Sequence, residues 1–171
     1  MLPLTEARIR ACFINATRSE RTNMLLPADF ADTPWERLDF FGWRDRKLPQ
    51  VGYVVTELDD GFEDGHEDGI TGVILRQAES RPRTRPQCTW CNDVELPNDV
   101  VLFTAKRAGD AGRKGDTVGT LACANFECSK NVRKLPPLAY VGFDRDAARE
   151  RRIRMLRENV QGFVRSIRDG A

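Results

Sequence analysis

The sequence predicts an α+β fold, with a small antiparallel sheet, helices at its N-terminal end, a finger built into the sheet and a long C-terminal helix. Three observations carry this reading. Apolar and β-branched runs recur in locally joined pairs, Gly52 to Leu58 with Ile70 to Gln77 and Asp99 to Ala108 with Thr117 to Ala122. Two short-spaced cysteine pairs stand at the two ends of the second hairpin. From Asp144 to Asp169 apolar residues repeat at helical spacing. No parallel crossover unit is evident, so local joining favours antiparallel strands.

Ile9, Phe13 and Ile14 recur at helical spacing behind Thr5, whose hydroxyl can cap a helix over residues 3–15. A second helix is expected from Ser19 to Leu25, ending ahead of Pro27. Thr33 and Pro34 then supply the cap and first-position proline of a third helix start. Trp35, Phe40, Phe41 and Trp43 follow within nine residues and are expected in the core. The acidic loop from Asp59 to Gly69 joins the first two strands. Asp64, Asp68 and Gly69 fall at positions of a calcium loop, yet His66 stands where an oxygen ligand is needed and Leu75 occupies the twelfth position, which excludes that site.

A basic stretch, Arg81, Arg83 and Arg85 with two prolines, leads into the first cysteine pair. Val100 to Phe103 is too continuous for a strand with a solvated face. Residues 109–116 read as a glycine-rich turn, and residues 124–135 as a helix stopped by Pro136 and Pro137. Ile153, Leu156, Val160, Phe163, Val164 and Ile167 line one face of the closing helix, with arginines over the rest. The expected organisation is one compact domain of three parts: residues 1–80, a finger over 81–143, and the helix over 144–171.

Lys and Arg number 27 against 26 Asp and Glu, with 40% apolar and 31% charged residues, which excludes a disordered tail. Apolar runs fall far short of the roughly 18 residues that cross a bilayer. No secretory signal opens the chain, so a cytoplasmic protein is expected. Charge is distributed unevenly: residues 29–68 hold twelve acidic and four basic side chains, and residues 81–134 hold six and ten. Such asymmetry supports an electrostatically steered partner, while solvated faces and acidic loops are its commoner cause.

Five cysteines in a reducing compartment favour a metal over disulfides. Cys88 and Cys91 can face one ion from a tight knuckle, and Cys123 and Cys128, at a strand end and a helix start, can complete a tetrahedron. Thiolates favour Zn(II) or iron and sulfur over hard cations, and Zn(II) is the expected single ion. Four thiolates leave no open position for water, so the ion is structural. Knuckle, hairpin, then helix is the order of a treble-clef finger. Cys12 stands apart as a core residue.

An enzyme is not expected. His66 is the one histidine, no Ser-His-Asp or Cys-His arrangement suggests itself, and glycines 109, 112, 115 and 119 fit neither phosphate-binding pattern. They fit a hairpin tip presenting Arg113 and Lys114, with Lys106, Arg107, Lys130 and Arg133 near in sequence. These cations suit carboxylates or phosphates. No small-molecule substrate is expected.

Residues 4–10, the block Leu38 to Asp45, and above all residues 107–120 running into Cys123 resemble the elongation factor G-binding proteins, relatives of the FusB-type fusidic-acid-resistance proteins. The resemblance covers nearly the whole chain. It implies a non-enzymatic protein that grips elongation factor G through a zinc-finger domain and helps release it from the ribosome. It carries ligand roles to the four cysteines and contact roles to Trp90 and Lys114. The FusB-type proteins have an additional N-terminal helical domain that 171 residues do not accommodate, so factor binding is expected ahead of drug resistance. The other reading open to the residues is an RNA-binding finger acting on ribosomal RNA.

Overall fold

The computed structural model describes residues 1–59, 69–79, 84–95 and 99–169. Most of the acidic loop, His66, Arg81 and Arg83 lie outside the described residues. Strands β1 (Phe41–Arg44), β2 (Val51–Glu57), β3 (Ile70–Gln77), β4 (Val100–Lys106) and β5 (Thr117–Cys123) form one antiparallel sheet in chain order. Each strand therefore pairs with its sequence neighbour, as local joining requires.

The sheet is covered on both faces, which is why β2 and β3 are buried almost throughout rather than alternating. On one face lie helices α1 (Glu6–Ala11) and α2 (Arg18–Asn23) and two 3₁₀ turns, Phe30–Asp32 and Trp35–Arg37. Ile9, Phe13, Met24 and Trp35 pack there on Phe41, Trp43, Tyr53 and Ile74. The opposite face carries the cysteine-bearing finger and helix α5 (Arg145–Arg168). Leu156, Val160, Val164 and Ile167 of α5 are fully buried against Val54, Val73, Leu75 and Phe103. Asp144 caps α5, its carboxylate accepting from the Ala147 N–H at 2.9 Å.

Local competition explains where elements differ from expectation. The first helix is capped by Thr5 as expected but stops at Ala11. Its chain turns there to bond with β3, Ile14 N–H donating to the Gly72 carbonyl and Gly72 N–H to the Cys12 carbonyl. The helix expected from Thr33 reduces to one 3₁₀ turn, and Phe41–Arg44 is a strand instead. Phe41 and Trp43 alternate with Gly42 and Arg44, and this period of two, made of large aromatics, prevails over the proline signal. The four aromatics are core, as expected. The tip is not a plain turn: it contains one helical turn, α3 (Gly109–Arg113). The helix expected over 124–135 shortens to α4 (Cys128–Val132), because residues 124–127 must bend Cys128 back towards Cys123.

Gly42 shows how tightly the finger sits on the sheet. A Cβ there would lie 2.8 Å from Phe126 Cβ and 2.9 Å from Phe40 Cε2. Gly42→Ala is expected to cost about 1–3 kcal/mol of stability through overpacking. A urea titration followed by circular dichroism measures it, with a lowered midpoint and unchanged slope as the expected result.

Candidate metal centre

Local structure delivers each sulfur. Cys88 and Cys91 flank a tight turn closed by the Asn92 N–H donating to the Cys88 carbonyl at 3.0 Å, and Asn92 adopts the left-handed φ of 51° that asparagine tolerates. Thr89 ties this knuckle to β5, its N–H and hydroxyl both donating to the Leu121 carbonyl. Cys123 ends β5 and Cys128 opens α4. Between them Phe126 takes a φ of 60°, uncommon for a bulky residue, and its N–H bonds back to the Cys123 carbonyl.

The four sulfurs lie within 4.8 Å of one another and all four residues are buried. Cys88 and Cys128 Sγ are 3.7 Å apart, Cys91 and Cys123 Sγ 3.6 Å apart, and none is in a disulfide. A regular tetrahedron around zinc, with arms of about 2.3 Å, has edges of about 3.8 Å. The cluster therefore fits a single structural Zn(II).

Electrostatics point the same way. The Cys88 thiol is held far below its ordinary value by hydrogen bonds, first with Cys123 and then with Cys128 and Cys91. Cys91 is lowered by Cys123 and Cys128. Cys123 is lowered by Cys128, yet Cys88, Cys91 and burial carry it above the ordinary range. Cys128 is raised by Cys123, Cys88 and Cys91. Four buried thiols within 4.8 Å of one another thus oppose each other's ionisation when no cation is present. A divalent cation removes that conflict by deprotonating every thiol that coordinates it. Asn131, also buried, adds a donor, its Nδ2 lying 3.6 Å from Cys123 Sγ.

Buried acids lock this centre to the rest of the molecule. The Asp39 carboxylate, wholly buried, pairs with Arg133 beside α4 and accepts from Arg157 Nε of α5 at 2.9 Å. Asp39 N–H donates to Ser129 Oγ at 3.0 Å. Asp93, after the knuckle, accepts from Arg152 Nη2 at 3.3 Å. Removing one partner of such a set leaves an uncompensated charge, which is far more costly than losing a surface pair.

The candidate contact residues divide. Lys106, Arg113, Lys114 and Lys130 are exposed. Trp90 is not: it is 2% exposed, with ring centroids 5.4 Å from Phe40, 5.6 Å from Phe163 and 6.2 Å from Phe126. Its contact role is corrected to a core role, because α5 closes over the outer side of the knuckle. Arg107 donates to the Ser166 carbonyl and Arg133 is committed to Asp39, so both act inward. Arg113 pairs with Asp110 at the tip. Gly112 fixes that tip, since a Cβ there would come within 1.8 Å of the Arg107 carbonyl oxygen. Asn131, Asp39 and Asp93 are the site residues that a search for ligand spacing misses. Of these only Asn131 carries a local signal, three positions after Cys128 on one helix face.

Cys12 lies apart from the centre, buried, its Sγ donating to the Ile9 carbonyl. Burial pushes its thiol up to about 12, so it is an inert core residue. Among the described residues no helix is long and apolar enough to cross a membrane.

A search of curated proteins finds no match. A family model described as the FBP C-terminal treble-clef zinc-finger matches residues 8–167. That span holds both cysteine pairs, the whole sheet and all but the last residue of α5. Four thiolates fill the tetrahedron and leave no open position for water, so the centre serves the fold rather than catalysis. The chain belongs to the FBP C-terminal treble-clef zinc-finger family.

Proposed function

We propose that Cys88, Cys91, Cys123 and Cys128 hold one structural Zn(II), and that the finger so fixed binds translation elongation factor G and promotes its release from the ribosome. Membership of the family over residues 8–167 carries the reading. The exposed cations of the β4–β5 hairpin supply its chemistry. Lys106 and Arg113 border a groove of about 320 Å³ together with Asn15 and Thr17, a lining suited to carboxylates on a partner protein. In this reading residues 1–80, 81–143 and 144–171 work as one unit in the cytoplasm. The ion set of Asp39, Arg133 and Arg157, one from each part, supports that unity.

Calorimetric titration of the zinc-loaded chain with elongation factor G of the same organism tests the proposal, and absence of binding rejects it. In the Arg113→Glu, Lys114→Glu double variant association is expected to slow about tenfold at low salt, with a smaller effect at high salt and little change in dissociation. Stopped-flow mixing at two salt concentrations measures this. Steeply salt-dependent retention of ribosomal RNA without the factor would instead support the RNA-binding reading.

A further inference from the structure

The two edges of the sheet are finished differently. On β5 the knuckle covers part of the edge, with Thr89 bonded to the Leu121 carbonyl. β1 lies at the other end of the sheet order, away from the cationic hairpin. The Asp45 N–H donates to the Val51 carbonyl at 3.0 Å, which sets the phase of the β1–β2 ladder. Phe41 and Trp43 therefore aim their backbone groups at β2, while Gly42 and Arg44 aim theirs outward. Among the described residues, no backbone group outside the sheet pairs with the main chain of Gly42 or Arg44.

This open edge runs along a groove of about 370 Å³. One wall is the segment carrying Asp29 and Asp32, both exposed. Phe30 anchors that wall, its ring centroid 5.9 Å from that of Phe41. Phe126 of the finger forms the other wall, on the Gly42 side of the strand. An unpaired strand edge at the base of a groove is a template for another strand, because main-chain hydrogen bonds supply affinity and alternate side chains enter the two walls.

We infer that the β1 edge is a docking site for an extended peptide of a partner protein, with Lys or Arg side chains towards Asp29 and Asp32 and apolar side chains towards Phe126. The outward N–H and C=O groups dictate a strand, and the two carboxylates dictate its charge. Side chains alternate across a strand, so one peptide can meet both walls at once. β1 has four residues, so the paired stretch is short. This site is independent of the binding proposed for the hairpin.

The test uses the full zinc-loaded chain and blocked hexapeptides of alternating lysine and valine. One control replaces lysine by glutamate, and another is N-methylated on every central amide. Fluorescence anisotropy reads affinity, and amide NMR with hydrogen exchange reads the site. The lysine peptide is expected to bind and to slow exchange at the Gly42 and Arg44 amides. The Asp29→Lys, Asp32→Lys double variant is expected to weaken that binding about tenfold or more, and the N-methylated peptide is expected not to bind. Failure of the lysine peptide to bind at millimolar concentration overturns the inference, as does equal binding of either control or unchanged exchange at Gly42 and Arg44. Protection of those amides by self-association without peptide overturns it too, assigning the edge to a second copy.

Discussion

Removing zinc from the loaded chain with a chelator is expected to unfold the finger and, with it, the face of the sheet that the finger and α5 cover. The four cysteines are part of the same buried cluster as Trp90, Phe126, Leu156 and Val160, so the ion sits inside the core. Structural zinc contributes about 10–16 kcal/mol to zinc-finger peptides at neutral pH, against a total of about 5–15 kcal/mol for a whole domain. Without the cation four buried thiols crowd within 4.8 Å of one another, with no countercharge for the thiolates that form there. The expected readout is loss of near-ultraviolet circular dichroism and of the cooperative melting transition, both restored by one equivalent of Zn(II). An unchanged melting temperature in a chain shown by elemental analysis to be metal-free would mean that apolar packing alone holds the fold.

Trp90→Ala is expected to cost about 3–5 kcal/mol of stability, the range for emptying a buried aromatic site that cannot collapse. Here collapse is blocked on three sides by Phe40, Phe126 and Phe163. Trp90→Phe should recover most of the loss, because the indole N–H is buried without an acceptor and its removal breaks no hydrogen bond. Chemical denaturation of the zinc-loaded variants distinguishes this from a contact role. A residue used only to touch a partner would leave the midpoint unchanged and lower affinity alone.

Features set by short-range pattern are legible in the sequence. The two cysteine pairs, the strands Val51–Glu57 and Ile70–Gln77 and the stripe along α5 each declare themselves within one element. The inward turn of Arg133 does not, because Asp39 lies 94 residues away, and Arg157 reaches the same carboxylate across 118. The burial of Trp90 is hidden for a similar reason: Phe40, Phe126 and Phe163, which enclose it, lie 50, 36 and 73 residues away along the chain. Thr17 and Glu20 show the intermediate case. They form a full capping box at the start of α2, a local signal that apolar spacing passes over.

The order of the meander has a consequence for biosynthesis. β2 and β3 are clad in apolar side chains above and below, yet the helix that shields one of those sides follows every strand in the chain. During translation that side is covered only in part, by the finger, until α5 clears the exit tunnel. A nascent chain stalled just short of that point should therefore be the species that chaperones engage most strongly.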